Sequence, residues 1–357
     1  LLQNRGITDR ERFFAPDFER DNHDPGLLPS IDKAVERIIV AIERREIVAV
    51  YADYDADGIP GGALLVKLLR VNGTTVVPYI PDREKEGYGL NETAIKFLKT
   101  QKVSLIITVD LGITNNMAVS TALSSGIDVI VTDHHGIDPD RIPLDAIAMI
   151  HPALPGSSYP FHGLAGGGVA WKLAQAIANR TGKPSLTELK WWLELPAIST
   201  VCDLVPLIDE SRMIVHFGLK VLRKTRSIGL KALYVAGSID QSTLDERTIG
   251  FQIGPRLNAP GRINHASPAM ELLLTNDPIR ATELAAQIEQ QNRERQLLVG
   301  RVVTEAIDKI STFGTNLPTV IILADPGWPV GVLGLSASRL VERYHRPTLL
   351  LGKHADG

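Results

Sequence analysis

Three short runs of Val, Ile and Leu, each stopping on acidic or imidazole side chains, constrain this chain more than any other feature. They are Val48-Ala-Val-Tyr-Ala-Asp53, Leu105-Ile-Ile-Thr-Val-Asp110 and Ile127-Asp-Val-Ile-Val-Thr-Asp133-His134-His135. Apolar runs of this length read as strands buried on both faces, as in a parallel sheet. Helical patterns alternate with them. Ile31–Arg45 carries Val35, Ile38, Ile39 and Ile42 at helical spacing, and 62–72, 92–99 and 116–124 read as further helices around strands at 75–80 and 146–150. Strand–helix alternation predicts an α/β fold with a mostly parallel sheet. Ligands of such sheets bind beyond the carboxyl ends of the strands, where the three acidic segments fall.

Further along, Trp191 to about Asn276 mixes helices with Gly/Pro-punctuated turns. Asp277-Pro278 supplies a helix cap and a first-turn proline, and nothing breaks the helix before about Ile310. Leu284, Ile288, Leu297, Leu298, Val302, Val303 and Ile307 form its apolar stripe. About thirty residues span roughly 45–50 Å, so this helix is expected to join two domains. Strands at 319–324 and 347–351 around a helix at 334–344 predict the start of a second, smaller α/β domain. The expected division is an N-terminal extension at 1–30, a catalytic domain with a helical subregion at 31–276, a connecting helix at 277–312 and the second domain from 313 to 357. That last domain is expected to be truncated.

The 357 residues contain one cysteine, Cys202, which excludes a disulfide framework and a Cys-rich zinc module and fits a reducing cytoplasm. No apolar run approaches the ~18 residues of a membrane span and no secretory leader is evident, so a cytoplasmic protein without a membrane partner is expected. The net charge of −3 neither advertises nor excludes a polyanionic partner, because a local basic surface decides that.

The chemistry sits in Asp53-Tyr-Asp55-Ala-Asp57-Gly58. Three carboxylates this close repel one another unless a cation neutralises them. An acidic turn capping a helix is the plainer reading of that motif alone. With Asp110 and His134 at two further strand ends, a metal site is favoured. Oxygen ligands with one imidazole suit two divalent ions, Mg²⁺ or Mn²⁺, the imidazole tilting toward Mn²⁺. A shared carboxylate would hold them ~3.5–4 Å apart, as in two-metal phosphoryl chemistry.

Asp55-x-Asp57, Asp110-x-Gly112, Asp133-His134-His135 and Asp203 in Thr200-Val-Cys-Asp-Leu-Val-Pro206 resemble the four metal motifs of the DHH phosphoesterases. Within them the chain is similar to the RecJ family of single-strand-specific 5′→3′ DNA exonucleases. The likeness extends to Pro81-x-Arg83-x₃-Glu86-Gly-Tyr88-Gly89, Gly254-Pro-Arg256-Leu-Asn258-Ala-x-Gly-Arg262 and Gly327-Trp-x-x-Gly-Val-x-Gly-x-x-Ala-Ser-Arg339, and covers about residues 5 to 351. The resemblance implies a DHH domain joined by the long helix to a DHHA1-like domain. It implies Asp55, Asp57, Asp110, His134 and Asp203 as metal ligands, with Asp110 as bridge and Asp110, His134 and His135 as the catalytic set. His135 would contact the scissile phosphate. Asp53 would be a ligand or an orienting neighbour, and Asp133 an orienting group. Two departures stand out: the sequence ends before the family's Gly-Gly-His segment with no oligonucleotide-binding barrel after it, and Tyr51 stands where many relatives outside RecJ place a histidine.

Substrate contacts are expected from Arg83, Tyr88, Gly166, Gly167, Arg256, Asn258, Arg262 and Arg339. Arg256 and Arg262 flank Asn258 in a Gly/Pro-bounded segment read as a loop, with donors suited to phosphate. Gly166 and Gly167 could bring amides to a phosphate, or could serve close packing. Tyr88 could stack on an unpaired base. Arg339, with Arg343, His345 and Arg346, could line the opposite cleft wall, or could be a solvated helix face. Trp171, Trp191 and Trp192 read as core. The implied function is metal-dependent hydrolysis of single-stranded DNA to mononucleotides by a monomer, with a single-strand-binding protein and a helicase as further candidate partners. The alternatives are a phosphodiesterase for short oligoribonucleotides or cyclic dinucleotides, and a non-cutting single-strand-binding scaffold.

Overall fold

A computed structural model describes residues 2–314 and 317–353. Strands β1 (Ile47–Ala52), β2 (Thr75–Tyr79), β3 (Val103–Val109), β4 (Asp128–Thr132) and β5 (Ala148–Ile150) form one parallel sheet in the order β2-β1-β3-β4-β5. β1 lies between β2 and β3, so the winding reverses between β1 and β3. That reversal opens a crevice at the carboxyl ends of these two strands.

Alternation along β1 explains its continuous apolar run. Val48, Val50 and Ala52 enter a large core with the helices Ile31–Glu43, Gly58–Val71 and Gly166–Thr181. Ala49 and Tyr51 enter a smaller core on the other face, with the helices Glu92–Thr100 and Asn116–Ser124. Every side chain of Val48–Ala52 is at 0 % exposure, which a strand achieves only when both faces are covered. Trp171 lies in the large core, while Trp191 and Trp192 are only half-buried, under Arg226 and Lys67 respectively.

Three helices differ from the sequence reading, one of them Val330–Tyr344, which begins four residues before the expected Gly334. The helix after β1 begins at Gly58, not Gly62. Gly58-Ile-Pro60-Gly-Gly62 looks like a loop, yet proline in a first turn gives up an N–H that no helix uses. A Cβ on Gly61 would lie 2.8 Å from Val109 Cγ1 and 2.9 Å from Gly167 Cα. The glycines there let two helices and a strand meet. Residues Gly254–Ile263, expected as a loop, are helical and continue a π-helical turn at Ile249–Ile253. Leu257, Ala259 and Pro260 are buried, and this burial overrides the local preference of proline and glycine.

The helix Pro278–Ser311 has 34 residues, about 50 Å at 1.5 Å per residue. Ala281, Leu284, Ala285 and Ile288 belong to the large core, and Val299, Val302, Ala306 and Ile310 to a third core. Leu297, counted in the apolar stripe, falls off it and is 75 % exposed. The third core also contains Ile321 and Leu323 of β6 (Ile321–Ala324), Trp328, and Val332 and Leu340 of the helix Val330–Tyr344. β6 pairs in parallel with β7 (Thr348–Leu351). Among the described residues no helix is long and apolar enough to cross a membrane.

Candidate metal centre

Register brings the acidic segments together. Ala52 pairs with Val109, and Thr132 with Ile150. The ladder then runs one step past the strands: Asp53 N–H donates to Val109 O at 3.1 Å, Asp110 N–H to Thr132 O at 3.0 Å, and Asp133 N–H to Ile150 O at 3.2 Å. Asp53, Asp110, Asp133 and His151 therefore stand side by side on the first rung beyond the sheet. Asp110 adopts φ 64°, a left-handed conformation that costs most non-glycine residues about 1 kcal/mol and is better tolerated by Asp. The Thr132 hydroxyl donates to Thr108 O at 2.6 Å and the Thr108 hydroxyl to Leu111 O at 2.8 Å, bracing that turn.

Each acid is held in its own way. The Asp57 carboxylate receives the Gly166 and Gly167 amides at 2.8 and 2.7 Å and the Ser199 hydroxyl at 2.5 Å. It thus faces the positive end of the helix Gly166–Thr181. Asp55 Oδ1 receives the amides of Asp57 and Gly58 at 2.8 and 3.1 Å. Asp133 accepts from the His134, His135 and Ile113 amides and from His135 Nδ1 at 2.8 Å. Its oxygens are engaged in fixing the loop. His151 accepts the Ala153 amide on Nδ1 at 3.1 Å, so its Nε2 carries the proton given to His135 O at 2.8 Å.

The remaining ligand atoms converge. Asp53, Asp55 and Asp110 each place an oxygen within 4.8 Å of the others, carboxylate oxygens of Asp57 and Asp203 gather as closely with a ring nitrogen of His134, and Asp110 forms a third such group with ring nitrogens of His134 and His135. His134 Nε2 lies 3.1 Å from Asp110 Oδ1, 3.5 Å from Asp57 Oδ2 and 3.7 Å from Asp203 Oδ2. Asp53 Oδ1, Asp110 Oδ1 and His134 Nε2 are buried without a hydrogen-bond partner. Orphaned polar atoms of this kind are rare in a folded protein unless something else binds them.

Burial and then the Asp55 charge push Asp53 up to about 8, and burial with Asp57 and Asp55 pushes Asp203 to about 7. Asp110 is pushed well up by burial and by Asp57, Asp55 and Asp53, and burial holds His134 below its ordinary value. A neutral imidazole beside crowded carboxylates is the donor set a hard divalent cation takes. His135 goes the other way: its hydrogen bond to Asp133 raises it to about 9. It is a cation at neutral pH, exposed at the mouth of the site.

Of the expected substrate contacts, three sit at the site. The Tyr88 hydroxyl lies 3.3 Å from Asp110 O and 3.2 Å from His135 Nδ1, with the side chain exposed. Arg83 lies 5.0 Å over the ring of Tyr54, the residue between Asp53 and Asp55. Arg262 has no carboxylate of the described residues within ion-pair distance and donates to Gly331 O at 3.3 Å. Like charge from Arg83 and Arg295 adds to burial in lowering its pKa, and Arg339 does the same for Arg295. Arg83, Arg262, Arg295 and Arg339 come from four elements, and none is ion-paired among the described residues. Sequence reading passed over Arg295 as one of many polar residues on a long helix, and over Ser199, which has no motif.

Arg256, Asn258, Gly166 and Gly167 are instead engaged within the protein. Arg256 pairs with Glu289 at 2.7 Å and donates to Gln252 O and Gly237 O, which turns its guanidinium into a tie between helices. Asn258 Oδ1 accepts the Ala56 amide at 2.8 Å and so locks the Asp55–Asp57 turn. The amides of Gly166 and Gly167 are committed to Asp57, which leaves none for phosphate. Tyr51 donates to Gly89 O at 2.9 Å on the opposite face of the sheet and supplies no ligand.

An aspartate-rich, histidine-bearing centre at the switch point of a five-stranded parallel sheet is that of a DHH protein, and residues 47–198 match the DHH family, N-terminal domain. The chain is 32 % identical to exonuclease RecJ in a crystal structure bound to manganese, with a TM-score of 0.80 over 91 % of this chain and 80 % of that one. It matches a Mn²⁺ complex of RecJ from Thermus thermophilus at 30 % identity and TM-score 0.81, over 98 % of this chain and 49 % of the other. It is 44 % identical to the single-stranded-DNA-specific exonuclease RecJ of Bacillus subtilis over 99 % of this chain and 44 % of that protein. This chain belongs to the RecJ family. It spans about half the length of that Bacillus relative.

Proposed function

We propose that this chain carries the hydrolytic centre of a metal-dependent 5′→3′ exonuclease that degrades single-stranded DNA to mononucleotides in repair and recombination, acting as a cytoplasmic monomer. The observation that supports it most is the convergence of Asp53, Asp110 and His134, each with a buried ligand atom lacking a partner, at the end of one sheet. Asp55, Asp57, Asp110, His134 and Asp203 would hold two divalent ions, manganese or magnesium, with Asp110 shared and Asp53 completing one set. Such ions supply Lewis acidity toward a phosphate oxygen and lower the pKa of water.

The chain's own residues do the rest. Asp133 holds His135 as an imidazolium at the mouth of the site, and His151 fixes its backbone carbonyl, so that the ring neutralises charge on a non-bridging phosphate oxygen. Arg83, Arg262 and Arg339, with Arg295 between them, would take the flanking phosphates, since four guanidiniums gathered without carboxylate partners call for an anion. Residues 31–276 would form the catalytic unit and residues from 313 the opposite wall of the strand's path. The specificity of the relatives for single-stranded DNA agrees with this.

Digestion of 5′-labelled single-stranded DNA in Mn²⁺, beside the matching duplex and a short RNA, tests the proposal. Release of 5′ mononucleotides from the single strand alone is expected. Binding without cleavage, or preferential cleavage of RNA, would count against it.

A further inference from the structure

Leu204 is 86 % exposed, the most exposed large hydrophobic side chain among the described residues. Its backbone is also left-handed, with φ 61°. The helix Glu194–Cys202 ends on Asp203, and Leu204 takes the next position, where glycine is the usual residue because the left-handed backbone crowds a Cβ. A leucine here is unfavourable twice over, in backbone strain and in apolar surface left in water. At 86 % exposure no packing among the described residues offsets either. Asp203, whose carboxylate reaches toward Asp57 and His134, is the adjacent residue, ~3.8 Å away between Cα atoms.

A second exposed apolar side chain lies along the same seam. Phe251 is 78 % exposed on the π-helical turn Ile249–Ile253, a form of helix frequent at functional sites. A Cβ on the neighbouring Gly250 would stand 3.8 Å from Val201 Cγ1, and the Leu204 N–H points back to Val201 O. Met117, Leu144, Val235 and Leu297 are comparably exposed, but none is next to a carboxylate of the centre.

We infer that Leu204 and Phe251 form an apolar lip of the cleft that receives the face of an unpaired nucleobase as the strand passes Asp203. This rests on the nuclease reading and extends it to specificity. A splayed base offers a free π-face to such a lip, whereas a base within a duplex keeps its faces against its neighbours. The lip favours the single strand and leaves duplex binding unaided.

L204G removes the side chain at a backbone conformation that glycine prefers, so its Tm should not fall below that of the unaltered chain. Its Mn²⁺ affinity, measured by calorimetry, should not change. On a single-stranded oligonucleotide kcat/KM should fall about tenfold, mainly through KM, as expected when one base has nothing to stack on. Cleavage of the matching blunt duplex should stay at its original level, so the preference narrows. F251A should move in the same direction. An L204G chain with unaltered kcat/KM on the single strand, or with equal losses on both substrates, overturns the lip. If the unaltered chain releases no nucleotide from any strand, the nuclease reading itself fails. The lip is then judged by fluorescence anisotropy of the same oligonucleotide, where equal affinity for L204G and the unaltered chain overturns it.

Discussion

The Gly167 amide donates to Asp57 Oδ1 at 2.7 Å, joining residues 110 positions apart and seating a carboxylate of the centre on a helix N-terminus. A Cβ at position 167 would lie 2.0 Å from Ser199 Oγ and 2.6 Å from Ser199 Cβ. Gly167→Ala must therefore push the helix away from Asp57. It should cost about 1–3 kcal/mol in urea unfolding and weaken Mn²⁺ binding in titration calorimetry. Unaltered metal affinity would separate Asp57 from the ligand set.

Asp110 is 2 % exposed, and its charge is opposed by burial and by neighbouring aspartates, Asp57, Asp55 and Asp53 foremost. Asp110→Asn should raise the Tm of the protein in EDTA, by about 1–2 kcal/mol of stability, because it removes a buried, repelled charge. Single-turnover hydrolysis should drop about a thousandfold or more. A variant that is more stable and still active would remove Asp110 from the proposed mechanism.

Asp53 at about 8 and Asp203 at about 7 keep protons in the folded, metal-free protein that the unfolded chain releases near its ordinary value of 3.8. Metal-free stability should therefore decline as pH rises from about 4 through about 8. His135, raised to about 9 by Asp133, stabilises the fold below its ordinary 6.5 and loses that contribution as pH passes 9, the same direction. Cations compete with the carboxylate protons, so the Tm gain on adding Mn²⁺ should be larger near about pH 8.5 than near about pH 6. Melting curves in EDTA and in Mn²⁺ across that range would show it, and a gain that shrinks with pH would contradict it.

Arg256 and Arg262 lie six positions apart yet should behave differently. Arg256→Ala strips Glu289 of its part-buried partner, leaving it only the exposed Arg293, and should cost about 1–3 kcal/mol of stability. Arg262→Ala should leave the Tm nearly unchanged and weaken single-strand binding, lowering the slope of log affinity against log salt by about 0.7 for each phosphate no longer neutralised. Anisotropy titrations at several salt concentrations distinguish the two.

Much of this could be read from the chain. Continuous Val/Ile runs require two covered faces, so a parallel sheet followed from Val48–Ala52 and Leu105–Val109 themselves. The uninterrupted pattern after Asp277-Pro278 likewise pointed to a long helix. Gly254–Ile263 could not be read this way, because its prolines and glycines are tolerated only through burial against distant elements. The same holds for the glycines at 58–62 and 166–167, whose sequences suggest loops and phosphate contacts while their role is close approach.

Residue type and apolar periodicity are local properties, and they suffice to establish that carboxylates and imidazoles end the strands. Which of them meet is a matter of packing. Parallel register sets Asp53, Asp110, Asp133 and His151 on one rung, and Ser199 with two glycine amides fixes Asp57. An ion pair withdraws Arg256, while Arg262 and Arg295 have no carboxylate partner among the described residues. Several of these contacts join segments a hundred or more residues apart, where hydrogen-bond partners and buried charge are settled only once the chain has closed.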